Sequence, residues 1–179
     1  MTRLQALNPE TTTGKTKELF NAVQSKLGIV PNMMRTMGNS DAVLEGYLNL
    51  SGALSKGKLN NRTGELIALA VAESNNCLYC TAAHTFIGEN LLKTDLSVLE
   101  AARSGESADS KTKAILKLAK TLVSKNGQVN DEDVTTAKNA GITDGEIAEV
   151  VAHVALNILT NYFNNTANTE VDFPAVATL

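Results

Sequence analysis

The sequence predicts an all-α fold: one domain, residues 1–179, built as a helical bundle of about seven or eight helices. Three observations predict it. Ala and Leu are abundant, and both favour helix. Apolar residues recur at spacings of three and four through most of the chain, and no run alternates with a period of two. Polar caps precede these stretches and Gly or Asn closes them, as at helix ends.

Residues 1–14 read as an extended lead-in. In "TGKTKELFNAVQSKLG", residues 13–28, Leu19, Phe20, Val23 and Leu27 keep helical spacing and Gly28 is the stop. Pro31 disfavours helix at Val30 and suits the first turn of a short helix beginning near Asn32. Ser40 or Asp41 caps the next helix, whose apolar stripe is Val43, Leu44, Tyr47, Leu48 and Leu54. Asn60 or Asn61 opens another, which ends at Ser74, Asn75 and Asn76, residues that prefer caps and turns. A helix starting there carries "CLYCTAAHTFIGENLL". A shorter one covers residues 95–103. "ADSKTKAILKLAKTLVSKNG" runs from a Ser/Asp cap to a Gly stop, and "NDEDVTTAKNAG" repeats that pattern in brief. "TDGEIAEVVAHVALNILTNYFNNTAN" is the long last helix, with a break expected near Asn164. Residues 166–179 are the tail.

A weak internal two-helix repeat is visible. Residues 63–80 can be laid over residues 144–161, which aligns Glu65 with Glu146, Cys77 with Ile158 and Cys80 with Asn161. Duplication would leave the chemistry in the first copy only. Two amphipathic helices of like composition would give the same appearance.

Composition narrows the function. A formal charge of −3, with 20% charged residues, offers no basic face for nucleic acid or an anionic membrane. Aromatics are 4% and Trp is absent, so no stacking platform for bases is expected. No stretch approaches the roughly 20 apolar residues of a membrane span. "MTRLQALNPETT" lacks the apolar core of a secretory signal. A cytoplasmic location is therefore expected. In that compartment a structural disulfide is unusual, and a CxxC pair more often binds metal or does redox chemistry. No Gly-rich phosphate loop or other cofactor motif appears, so no cofactor is expected.

The chemistry concentrates in "ESNNCLYCTAAH", residues 73–84, which holds both cysteines and one of the two histidines. Cys77, Cys80 and His84 are spaced i, i+3, i+7, on one face of a helix. Cys77 sits at or just inside its N-terminus, where free N–H groups and the helix dipole favour a thiolate. His84 is one turn beyond Cys80, the relation of a base to a nucleophile, and a base usually has an orienting partner. Glu73 and Glu65 are both candidates for that partner, and spacing does not choose between them. Other readings compete. Two cysteines can be small buried hydrophobes. A structural zinc site wants four ligands and would have to recruit Glu65 or Glu73. A thioredoxin-type motif needs strands. His153, in "VVAHVALNIL", reads as a structural histidine, and Met33, Met34 and Met37 as helix-face packing or an interface, not a metal site.

The pattern E-x11-C-x2-C-x3-H, here Glu65, Cys77, Cys80 and His84, resembles the alkylhydroperoxidase AhpD / carboxymuconolactone decarboxylase family, and within it the peroxidase-related branch. The likeness runs from about residue 15 to residue 175, and includes "LNNRTGELIALAVAESNNCLYCTAAH" and "NYFNNTANTEVDFP". It implies an AhpD-like helical fold and a homo-oligomer, a trimer or a hexamer. It selects Glu65 over Glu73. It implies that Cys80 attacks a hydrogen or alkyl hydroperoxide, that Cys77 resolves the sulfenic acid into a disulfide, and that His84 and Glu65 relay the proton. The reductant would be a dithiol, a lipoylated or thioredoxin-like protein. The alternatives are a thiol-disulfide oxidoreductase with weak peroxidase activity and a decarboxylase-like lyase. AhpD carries a histidine just before its second cysteine, and this chain has Tyr79 there. At i, i+3 the two cysteines fit a reversible disulfide. Cys77, at the helix end, is expected to be the more exposed sulfur.

Overall fold

A computed structural model describes residues 1–177. The described residues form nine helices and no strand: α1 Gly14–Leu27, α2 Asn32–Met37, α3 Asp41–Leu54, α4 Asn61–Ser74, α5 Leu78–Asn90, α6 Leu96–Ser104, α7 Ser110–Ser124, α8 Asp131–Asn139 and α9 Asp144–Ala167. The number exceeds the expected seven or eight because every stretch read along the sequence, the short α2, α6 and α8 included, stands as a helix of its own. Side-chain caps set most of the starts. Ser40 accepts from the Val43 N–H, Asn60 from Thr63 and Asp109 from Thr112. Asn130 with Asp133, and Thr143 with Glu146, close full capping boxes. Each such cap contributes about 1 kcal/mol.

Two expectations are corrected at the C-terminal end. α9 runs without a break through Asn164 and stops at Ala167, where Asn168 turns left-handed at φ 48°. Asn164 does not break the helix because its side chain points inward instead of competing for the backbone. The tail therefore begins at residue 168, and residues 178–179 of the expected tail lie outside the described residues. The aligned segments of the internal repeat also part company. The first turns at Asn75 and Asn76, whereas α9 continues straight. Glu65 and Glu146 do different work, since Glu146 closes the α9 capping box.

α4 is the central helix. Thr63, Gly64 and every residue from Leu66 to Ala72 are buried, so its sequence is apolar nearly all round. One hydrophobic cluster packs α6, α7, α8 and α9 against α4 through residues such as Leu69, Leu99, Leu116 and Val150. A second cluster joins α1, α2, α3 and α5, with Phe20, Met33, Met34, Met37 and Leu44 packed beside Cys77, Tyr79 and Cys80. The three methionines are thus core residues, which selects packing over the interface that the sequence left open.

Both ends of the described residues are tied down. The Arg3 N–H donates to the Ala167 carbonyl at 2.7 Å, and Arg35 Nε donates to the Leu7 carbonyl at 2.8 Å. After α9, Asp172 accepts from the Asn32 N–H and from Tyr79 Oη, and Phe173 packs edge-on against Tyr79. Residues 168–177 thereby strap α2 to α5. No helix among the described residues is long and apolar enough to cross a membrane.

Candidate redox site

The turn between α4 and α5 is built by hydrogen bonds that leave no spare residue. The Cys77 N–H donates to the Ala72 carbonyl at 2.9 Å and the Asn76 N–H to Glu73 at 3.2 Å, with Asn76 left-handed at φ 51°. That is the Schellman arrangement, and Asn tolerates the left-handed position better than most residues. Cys77 both completes the end of α4 and caps the start of α5. Its sulfur accepts the Cys80 N–H at 3.3 Å. The two helices are locked as a hairpin.

Cys77 and Cys80 are joined as a disulfide, with Cα atoms 5.3 Å apart. The expected difference in exposure is overturned: Cys77 is 1% and Cys80 2% exposed. Cys77 is buried because its double role in the turn seats it in the second hydrophobic cluster. What distinguishes the sulfurs is the cavity. Cys80 lines a cavity of about 460 Å³, and Cys77 is not among its walls. Met33, Met34, Leu48, Phe86 and Phe173 make most of its surface apolar.

The hairpin brings Glu65 to His84. Glu65 Oε2 lies 2.7 Å from His84 Nδ1, and both residues line the cavity with Cys80. A carboxylate at Nδ1 keeps the proton of neutral imidazole on that nitrogen and leaves Nε2 as the basic one. Glu73 is used elsewhere. It accepts from Nε of the buried Arg103 at 2.8 Å, and Arg103 also holds the Ala177 carbonyl. The choice that spacing left open is thus made by packing. Among the described residues no group of three or more His, Cys, Asp or Glu is placed to hold a metal.

Tyr79 is a latch. Its hydroxyl donates to Asp172 Oδ1 at 2.8 Å and accepts the Met33 N–H at 3.1 Å. Burial first, and then Asp172, push its pKa far up, so it stays a neutral donor. Tyr47, from α3, also lines the cavity, and burial with the nearby Glu65 charge pushes it up to about 12. His153, read from the sequence as structural, is packed between α9 and α4. It lines the cavity, packs on α4 at Gly64, and has Nε2 buried without a partner. Burial lowers its pKa, so it is neutral near pH 7. Sequence reasoning also passed over Asn164, whose Nδ2 donates to Cys80 Sγ at 3.3 Å. Only the cluster of asparagines in "NYFNNTAN", unusual in a helix interior, hinted at it.

Residues 41–121 match the sequence profile of the carboxymuconolactone decarboxylase family. No curated protein matches the chain. Among solved structures, the AhpD core of an uncharacterized peroxidase-related protein from Ralstonia eutropha JMP134 is 24% identical, over 96% of this chain and 92% of that one, with TM-score 0.85. An uncharacterized peroxidase-related protein from Silicibacter sp. TM1040 is 21% identical over 93% and 91%, with TM-score 0.80. The debrominase Bmp8, in complex with 2,3,4-tribromopyrrole, is 16% identical over 96% and 92%, also at 0.80. At these identities the likeness is one of fold.

Proposed function

We propose that the chain, residues 41–121 of which match the carboxymuconolactone decarboxylase family, is a two-cysteine, thiol-dependent peroxidase that prefers organic hydroperoxides to hydrogen peroxide. One observation carries the reading: of the two sulfurs, Cys80 alone faces the cavity, together with a histidine whose other nitrogen is held by a carboxylate. The apolar walls support the preference, since hydrogen peroxide would use almost none of them.

In the proposed cycle His84, oriented by Glu65, takes the Cys80 proton. The thiolate displaces the leaving oxygen of the hydroperoxide and becomes a sulfenic acid, and His84 returns its proton to the departing alkoxide. Cys77 condenses with the sulfenic acid, releasing water and forming the disulfide. One thiolate of a dithiol then attacks Cys80 from the cavity, and once Cys77 has left, the donor's second thiol closes the donor's own disulfide and frees Cys80. Cys77 leaves as a thiolate stabilised by the start of α5, which favours that direction of exchange. A slender dithiol arm, such as a lipoyl group, suits this route. A thioredoxin-like protein would have to reach a disulfide that is buried on both sulfurs.

A second reading is reductive dehalogenation, favoured by the fold shared with the debrominase Bmp8. There Cys80 would take the halogen from an aryl halide, the ring would take a proton, and Cys77 would expel halide. A lyase that uses the cavity alone would survive Cys→Ser at both positions. Parallel assays of thiol loss with an organic hydroperoxide, hydrogen peroxide and a brominated pyrrole separate the three. Fast loss of both thiols with the organic hydroperoxide supports the proposal. Bromide release without peroxide consumption supports the second reading.

A further inference from the structure

α9 delivers three asparagines to the CxxC turn. Asn161 Oδ1 accepts from Asn75 Nδ2 at 3.0 Å, Asn165 Nδ2 donates to the Asn75 carbonyl at 3.0 Å, and Asn164 Nδ2 donates to Cys80 Sγ at 3.3 Å. The first two hold the turn. The third touches a reacting atom. Asn164 is 3% exposed, and its backbone carbonyl is fixed by the N–H groups of Asn168 and Thr169. Its Oδ1 is buried without a hydrogen-bond partner.

An amide placed only for structure would be poorly served here. A disulfide sulfur is a weak acceptor, and a buried unpaired carbonyl oxygen is costly. Both ends gain when Cys80 changes state. A thiolate turns the N–H contact into a charge-assisted hydrogen bond. A sulfenic acid places an O–H donor on the same sulfur, beside the unpaired oxygen. The start of α5 cannot do this for Cys80, because the Cys80 N–H is given to Cys77.

We propose that Asn164 is a catalytic residue that holds Cys80 through its redox cycle, with Nδ2–H on the thiolate and Oδ1 accepting the sulfenic O–H. The inference rests on Cys80 being the attacking sulfur. In the step it serves, Cys80 S⁻ bonds the distal peroxide oxygen, which keeps its hydrogen. The O–O bond breaks, and its electron pair leaves on the alkoxide, which takes a proton from His84.

The test is the pH profile of iodoacetamide alkylation in the reduced Cys77→Ser chain, where Cys80 is the only thiol. The titratable groups around it are His84 and Tyr79 on its own helix, Glu65 on α4, Tyr47 on α3, His153 on α9 and Lys26 on α1. Asp172, from the C-terminal strap, is bonded to Tyr79. Asn164→Ala and Asn164→Asp should each move the midpoint up by about one pH unit, a loss of about 10-fold in rate near pH 7 with the high-pH plateau kept. The sulfenic acid formed with one equivalent of organic hydroperoxide should also decay faster. Asn161→Ala, which loosens the turn but touches no sulfur, should leave the midpoint in place. In the unaltered chain, the Asn164 side-chain amide NMR signals should titrate with Cys80, which keeps the test open if the variants do not fold. An unchanged midpoint in folded Asn164 variants, an equal shift in Asn161→Ala, or amide signals that ignore Cys80 would overturn the role. Alkylation needs no peroxide, so a shifted midpoint in a chain inert to peroxides would retire the peroxidase reading and keep Asn164.

Discussion

Cys77 and Cys80 are equally buried and chemically unlike. Cys77 takes a backbone N–H at a helix start; Cys80 takes a side-chain amide and faces the cavity. Cys80→Ser should therefore abolish hydroperoxide consumption. Cys77→Ser should allow one oxidation, trapping a sulfenic acid that a dimedone-type probe labels, and should block turnover. Labelling of Cys77 in the Cys80→Ser chain would reverse the roles. His84→Ala should slow the first oxidation on the order of 10²–10⁴-fold in stopped flow, and Glu65→Gln by less. Glu73→Gln should leave that rate intact but lower stability in urea by about 1–3 kcal/mol, because it leaves buried Arg103 without its anion. Greater damage to catalysis from Glu73→Gln than from Glu65→Gln would refute the pairing. The sulfur and histidine positions were legible because they sit within one short helix. The carboxylate needed the family resemblance, since both glutamates lie on one helix and only the hairpin's geometry separates them. Asn164 was illegible because its contact with Cys80 spans 84 residues.

Among elements, the α4–α5 hairpin carries the site, and its turn depends on one left-handed residue. Asn76→Ala should cost about 1–2 kcal/mol in denaturant unfolding, and Asn76→Gly should be neutral or stabilising. An Asn76→Ala chain as stable as the original would contradict this account of the turn. The start of α9 provides a pH test. The Lys111 ammonium, with the Thr143 N–H, holds the Glu146 pKa down to about 2 from its ordinary 4.5. A depressed carboxylate stabilises the fold above its unfolded value and loses that contribution as pH falls to the folded one. Glu146→Gln should therefore lower the melting temperature at pH 7, and the difference should fade between about pH 4.5 and about pH 2. A gap that persists at pH 2 would show that the charge is not responsible. Caps and stops were readable because they are local. The break expected at Asn164 failed because a buried partner, which no local pattern reveals, turned the side chain inward.

For the whole molecule, the outer face of α9 leaves Val151, Leu159 and Tyr162 exposed at helical spacing, with Tyr162 58% accessible. We propose that this stripe joins copies of the chain into the trimer or hexamer that the family resemblance implies. Light scattering should show an oligomer that Leu159→Glu with Tyr162→Glu dissociates, and a 19.0 kDa monomer for the unaltered chain would refute it. The helical class was legible from periodicity throughout. The cavity was not, because its walls come from distant helices and from the strap at Phe173, which no single segment announces. The central claim is that Cys80 meets an organic hydroperoxide in that cavity and Cys77 closes the disulfide. Its most direct test mixes the reduced chain with an organic hydroperoxide and with hydrogen peroxide in stopped flow, followed by thiol count and intact mass. The account predicts loss of both thiols and about two mass units per chain, faster with the organic hydroperoxide, and no oxidation of Cys77 when Cys80 is replaced by serine. Thiols that persist through many equivalents of either peroxide, or intermolecular dimers as the main product, would contradict it.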